Sequence, residues 1–242
     1  MKILPFKVEE RLDNGQNIEL FPSLLVFSNG TKYLVDCGYS CTFEEFEKEV
    51  NIIGYSISQL DGIIISHDDI DHLEGLAKFK KANPNLIIIS SAIERDSIEG
   101  TIPAERLVQV QDSLAFVPQE QRGWVLQFAE QLKNIERFPV NRTYADGDYI
   151  EGELRVVYTP GHTKGHLSLF HEPSGILVAN DALVIEEGNF NIANPQFTLD
   201  IEQAIKSVKK LKELQPSKII CYHGGVMESD IDSKLNDLLL KY

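Results

Sequence analysis

Basic residues are scarce in this chain. Lys and Arg number 23 against 37 Asp and Glu, which gives a net charge of −14 and a pI near 4.8. Nucleic acid and anionic membrane surfaces both need positive patches, so neither is expected as a partner. Cysteine is scarce too. Cys37, Cys41 and Cys221 are odd in number and widely spaced, and Cys37 and Cys41 lack CxxC spacing. No disulfide framework follows from that, and buried free thiols in a reducing compartment are expected, with Cys37 as small filler. No apolar run approaches the roughly 18 residues of a membrane span. The opening stretch "MKILPFKVEERLDNG" has no apolar targeting segment. A soluble, cytoplasmic protein is the expectation. Low-complexity tracts and short repeats are also missing.

What is present is enough apolar residue, 43% of 242, for a well-buried core. "MKILPFKV" and "IELFPSLLVFS" read as strands. The Asn-Gly in "SNGTKYLVDCG" predicts a hairpin pairing Leu24–Phe27 with Lys32–Asp36. "TFEEFEKEVNIIG" predicts a helix capped by Thr42 with Glu45 and closed by Gly54. "GIIIS" and "NLIIIS" read as buried strands around a helix in "HLEGLAKFKKANP". Residues 92–145 break this rhythm and read as a partly helical insertion, with Val125, Phe128, Ala129 and Leu132 at helical spacing. Strands then return in "DGDYIEGELRVVYTPG", "GHLSLFHEPSGILVAND" and "SKIICYHGG". Two helices close the chain, one starting at Asp200 with Gln203 as reciprocal cap, the other running from about Asp230 to Leu240.

The stretch "IIISHDDIDHLEG" carries the chemistry. An apolar run and a serine lead into His67, Asp68, Asp69, Asp71 and His72, with no Lys or Arg in the cluster. Like charges at a strand end repel, so a positive group is expected among them, a metal ion being the simplest. His162 and His166 in "YTPGHTKGH", Asp181 closing "LVAND" and His223 in "CYHGG" also sit where strands end. Rigid elements delivering ligands to one edge suit a catalytic metal site. Gly161, Gly224 and Gly225 would let the backbone turn closely there.

Taken together these motifs resemble the metallo-β-lactamase superfamily. "HDDIDH" is similar to its H-x-H-x-D-H signature, and "VDCG", "TPGHT", "AND" and "HGG" match its other motifs in order. "DGDYI…LRVVYTPGHT" looks like the glyoxalase II-like branch. The resemblance implies one αββα-sandwich domain over 1–242, with two mixed β-sheets flanked by helices and the insertion at about 92–145. It implies two divalent ions, with His67, Asp69 and His162 holding the first. Asp71, His72 and His223 would hold the second, Asp181 would bridge them, and Asp36 would orient a ligand from behind. Asp69 stands where the family usually has histidine, which adds oxygen at the expense of nitrogen and leaves the metal open among zinc, iron and manganese.

The implied activity is hydrolysis by a hydroxide shared between the two ions, with Asp71 and Asp181 as its catalytic carboxylates. The substrate would be a small molecule with an ester, thioester, lactone or phosphodiester bond. Two other readings stay open. His67, His162 and Asp181 alone would form the two-His, one-carboxylate triad of a mononuclear iron oxygenase, and the same fold could serve as a non-catalytic binding or sensing protein. A homodimer is possible. Asp68 reads as a solvated or helix-capping residue, His166 as a structural hydrogen-bond partner, His171 as a surface histidine and Tyr222 as a packed ring. The stripe from Trp124 to Leu132 suits core and cleft wall equally. Arg95, Arg106, Arg122, Arg137 and Arg142 all lie in or beside the insertion, which makes it the expected seat of specificity.

Overall fold

The computed structural model describes residues 1–11, 15 and 17–242. The chain opens with β1 (Lys2–Pro5), then a ribbon of β2 (Val8–Arg11) and β3 (Asn17–Leu20), then β4 (Ser23–Val26) and β5 (Lys32–Val35). Helix α1 (Phe43–Ile52) leads to β6 (Gly62–Ile64). Two short helices, α2 (Ile70–Leu73) and α3 (Leu76–Ala82), precede β7 (Ile87–Ser91). Helices α4 (Arg95–Ile98), α5 (Glu105–Ser113) and α6 (Arg122–Lys133) follow, then β8 (Arg142–Tyr144). The second half runs through β9 (Tyr149–Ile150), β10 (Leu154–Tyr158), β11 (Leu167–His171) and β12 (Ile176–Asn180). A ribbon of β13 (Val184–Glu186) and β14 (Asn189–Asn191) comes next, then α7 (Ile201–Glu213), β15 (Lys218–Cys221), β16 (Gly225–Met227) and α8 (Ile231–Leu239).

Two six-stranded sheets form, ordered β1-β4-β5-β6-β7-β8 and β16-β15-β12-β11-β10-β9. Both are mixed: β5, β6, β7 and β8 run parallel, as do β12 and β15, and the remaining pairs are antiparallel. The hairpin forms as predicted, with Leu24 opposite Leu34. Alternation along the strands sets the layers. Tyr33, Val35, Ile64 and Ile89 point between the sheets to meet Val156, Leu169, Val178 and Ile220. Leu34, Ile63 and Ile88 point outward into a second core with Phe46, Phe79 and Leu132 from the helices. Leu177, Ile219 and Cys221 do the same on the other sheet against Val208, Leu211 and Leu235. The product is the expected αββα sandwich, and "GIIIS" is apolar throughout because β6 is buried on both faces.

Several local expectations are corrected. The Thr42 side chain donates to the Tyr39 carbonyl at 2.9 Å and does not cap α1, while Glu45 takes Lys48 instead. The helix expected in "HLEGLAKFKKANP" is two pieces broken at Gly75. A Cβ there would lie 2.1 Å from the Cys37 carbonyl oxygen, so the chain turns where only hydrogen fits. The 92–145 stretch ends in β8, which joins the first sheet beside β7. Asp200 does cap α7, accepting from the Gln203 backbone at 2.9 Å.

Candidate metal centre

Strand ends deliver the site. Asp36 follows β5, His67 to His72 follow β6, His162 follows β10, Asp181 follows β12 and His223 follows β15. The seven expected ligands converge on one rim of the sandwich. Three clusters form there, each with one ligand atom per residue within 4.8 Å of the others: His67, Asp69 and His162; Asp71, His72 and His223; and His67, His72 and Asp181. Asp181 Oδ2 lies 3.5 Å from both His72 Nε2 and His223 Nε2 and 3.7 Å from His162 Nε2, so it stands between the first two groups.

The donor set fits divalent ions. His67 Nε2, His72 Nε2 and Asp181 Oδ1 are buried without a hydrogen-bond partner. Stranded polar atoms are costly, and divalent ions at the rim would satisfy them. Burial would lower the pKa of His72, but Asp181, Asp71 and Asp36 outweigh it and raise it well above the usual imidazole range. His223 behaves alike and reaches about 10, burial opposing while Asp181 and Asp71 prevail. The field at these nitrogens is therefore one that attracts a positive charge.

The residues behind the rim hold it rigid. Asp36 sits at φ 58°, an uncommon conformation for a non-glycine residue, and is fully buried. Its carboxylate faces His72 Nδ1 at 2.9 Å and accepts from the Ser66 backbone and hydroxyl, both at 2.8 Å. His166 is neutral in its buried setting, burial and then His67 pushing its pKa well down. It contacts Thr159 Oγ1 at 2.8 Å through Nδ1, and its Nε2 accepts the Asp181 backbone N–H at 3.1 Å. Its expected structural role therefore extends to placing Asp181. The Tyr222 ring packs on His72 with centroids 4.2 Å apart, and its hydroxyl donates to the Asp71 carbonyl at 2.9 Å, away from the cleft. Cys37 is buried, its thiol on the His72 carbonyl at 3.2 Å. His171 lies apart, bonded to Ser174.

One expectation changes, and a counter-charge comes into view. Asp68 is 4% exposed and pairs with Arg137 at 2.5 Å, so it is neither solvated nor a helix cap. Asp69 is held by Arg106 through two bonds, Nε to Oδ1 at 2.9 Å and Nη2 to Oδ2 at 2.6 Å. The missing counter-charge of the motif thus comes in part from the insertion, one arginine per extra aspartate. Burial opposes ionisation of Asp69, yet Arg106 and His162 hold its pKa well below the usual carboxylate range. Gly161, Gly224 and Gly225 all turn the chain at positive φ, and two of them also admit neighbouring backbone. A Cβ on Gly161, at φ 137°, would meet the Ala204 backbone nitrogen at 2.3 Å, and one on Gly224, at φ 91°, would meet the Ile185 carbonyl at 2.0 Å. They let neighbouring backbone come close, and it is chain that approaches them.

Glu94 was not foreseen. It is 2% exposed and ties the loop carrying His67 to the loop carrying His162, accepting from the Asp68 backbone at 3.0 Å, Thr163 Oγ1 at 2.7 Å and the Gly165 backbone at 2.8 Å. An isolated glutamate after a buried strand carries no sequence signal for this. Over the rim opens a cavity of about 520 Å³ whose apolar wall includes Tyr39, Trp124, Phe128, Val184, Ile185 and Phe197. The Trp124–Leu132 stripe divides accordingly: Val125, Ala129 and Leu132 enter the core, while Trp124 and Phe128 stack at 5.5 Å beside the cleft.

Two mixed sheets between helices, with histidines and carboxylates gathered at one rim, define the metallo-β-lactamase fold class. The chain belongs to the Metallo-beta-lactamase superfamily, whose profile matches residues 22–223. It is 30% identical over 194 residues to an N-acyl homoserine lactonase of Bacillus thuringiensis, covering 77% of this chain and 65% of that one. The chain thus spans somewhat less than two thirds of that lactonase. It is 28% identical over 228 residues to YobT, an uncharacterized protein of Bacillus subtilis (strain 168), covering 88% and 89% of the two chains. Among solved structures, a metallo-beta-lactamase family protein from Thermus thermophilus shares the fold with a TM-score of 0.69 at 21% identity, over 99% of this chain and 78% of the other. Among the described residues, no helix is long and apolar enough to cross a membrane.

Proposed function

We propose that this chain is a metal-dependent hydrolase that opens a lactone bearing an apolar tail, with N-acyl homoserine lactones the first class to try. The observation that carries the reading is the pairing, in one cavity, of a carboxylate-imidazole centre with a wall of aromatic and aliphatic side chains. Such a cavity suits a small substrate with a polar reacting carbonyl and an apolar arm. The likeness to a lactonase supports the same class. A phosphodiester or a multiply charged thioester fits less well. Among the described residues lining the cavity, Arg106 is the only Lys or Arg, and Asp69 already engages it.

His67, Asp69 and His162 would hold one ion, Asp71, His72 and His223 the other, with Asp181 between them. Bound zinc, iron or manganese would supply Lewis acidity, polarising the substrate carbonyl and making water nucleophilic near neutral pH. The chain's own part is positioning. Asp36 keeps Nδ1 of His72 engaged so that Nε2 faces the cleft. Asp71 and Asp181 both line the cavity, and their carboxylates can accept a proton from the attacking water. Trp124 and Phe128 shield the apolar arm from solvent.

Short- and long-chain N-acyl homoserine lactones, a thioester and a phosphodiester, each offered to metal-loaded protein, test the reading. Gain of one water by the lactone, seen by mass spectrometry and lost with a chelator, is expected. Turnover of the thioester or phosphodiester alone would overturn the substrate class, and no turnover of any would overturn hydrolysis.

A further inference from the structure

Asp69 serves two masters. Its Oδ2 lies 3.0 Å from His162 Nε2 and 3.4 Å from His67 Nε2, the position of a shared ligand atom. The same oxygen takes Arg106 Nη2 at 2.6 Å, and Oδ1 takes Arg106 Nε at 2.9 Å. A guanidinium bound to both carboxylate oxygens uses the fork geometry in which arginine binds strongest. Arg106 is not free to drift. It is 3% exposed, its guanidinium carbon lies 5.3 Å from the Phe197 ring centre, and it also bonds Gln109. Glu105 beside it accepts from the Lys164 backbone at 3.0 Å, which pins α5 to the loop carrying His162.

The other cluster is built differently. Asp71 and Asp181 make ion pairs with histidines, and among the described residues neither pairs with a Lys or Arg. One half of the centre therefore has a resident guanidinium and the other does not. A divalent ion on Asp69 must share Oδ2 with the guanidinium or displace it, and two positive groups at that range repel strongly in a buried setting.

We propose that Arg106 is a latch on the first metal position: it holds Asp69, weakens that position relative to the one formed by Asp71, His72 and His223, and makes the two fill in sequence. This rests on the ligand sets proposed above. It concerns loading, not the bond cleaved.

Metal-free wild-type protein, R106Q, D69A and the double variant are titrated with Zn²⁺ against a competing chelator, with bound zinc counted by elemental analysis. Wild type is expected to show two classes of site at least tenfold apart. R106Q should tighten the weaker class at least tenfold and leave the tighter class within threefold. D69A should abolish the weaker class, and R106Q should add nothing in its background. A second readout needs no variant that might misfold: the Nε–H NMR resonance of Arg106 in wild-type protein should move with the second equivalent of Zn²⁺ and not with the first. Two wild-type sites of equal strength, a weaker class untouched by R106Q, or an Arg106 resonance that moves with the first equivalent or not at all would overturn the latch. Failure to bind any zinc would overturn the ligand sets themselves. Failure to open lactones would touch neither.

Discussion

Asp36 Oδ2 and His72 Nδ1 lie 2.9 Å apart in a fully buried pair, and this contact decides which nitrogen of His72 reaches the cleft. The second nitrogen is left without a hydrogen-bond partner, facing the Asp181 and Asp71 carboxylates at 3.5 and 3.7 Å. Asp36→Asn keeps the shape and removes the charge behind the ring. Losses of such outer partners cost about 10- to 100-fold in metal affinity. We expect a loss in that range at the position formed by Asp71, His72 and His223, measured by chelator competition, with the weaker position nearly unchanged.

Asp181→Ala and His67→Ala should both abolish hydrolysis while leaving circular dichroism intact, because each removes a rim side chain and no core packing. His171→Ala should keep nearly full activity, since that ring bonds Ser174 and stands outside the centre. Comparing initial rates of the three at equal metal content checks this. A His171 variant as inactive as the Asp181 variant would refute the assignment of the rim.

Trp124 is 62% exposed, so it contributes little to stability while walling the cavity. Trp124→Ala should shift unfolding by no more than about 0.5 kcal/mol. It should raise KM for long-chain acyl lactones more than for short-chain ones and leave kcat for the short-chain substrate nearly constant. Equal effects on both chain lengths would remove Trp124 from the substrate wall.

Asp69→His brings the motif to the family's usual form and strands Arg106. Removing one partner of a buried pair costs about 3–5 kcal/mol. A loss of that order is expected in urea unfolding of the metal-free single variant. Adding Arg106→Met should recover most of it, because the unpaired charge is gone. The Asp69 charge is also offset by Arg106 in the native protein, so it acts on the centre less than a lone carboxylate would. If Asp69→His costs nothing, the pair is not a structural element.

Glu94 carries a pH signature. Burial raises its pKa from 4.5 to about 7, against the hydrogen bonds from Thr163, Asp68 and Gly165, and the nearby Asp68 carboxyl adds to the rise. The folded chain therefore holds this proton more tightly than the unfolded chain. Stability from this group is present below about pH 4.5 and is lost as pH rises to about 7, by roughly 3 kcal/mol. Glu94→Gln should flatten that part of the profile. Urea unfolding of both proteins across this range tests it, and parallel profiles would exclude Glu94 as the source.

The centre was legible in the sequence because histidine is rare here. The chain has six, and five stand at strand ends in the site. Runs such as "GIIIS" marked the strands that carry them. The partners of Asp68 and Asp69 were not legible. Arg137 and Arg106 lie 69 and 37 residues downstream, and an ion pair over such distances leaves no periodic trace. One signal was available: Arg106, Leu107 and Val110 share the buried face of α5. An arginine on an apolar helix face calls for a buried acid, and the only question left is which. The capping expectation at Thr42 failed for a related reason, since a carbonyl of the preceding turn competed for the hydroxyl.

The two arginine contacts also limit how the chain can be re-engineered. Loops around a cleft are the usual material for exchange between relatives, because they can be swapped without touching the scaffold. Here that modularity is broken. Any transplanted segment lacking counterparts of Arg106 and Arg137 would leave two buried carboxylates orphaned in the loop after β6, so donor and host must be traded as a matched set with Asp68 and Asp69.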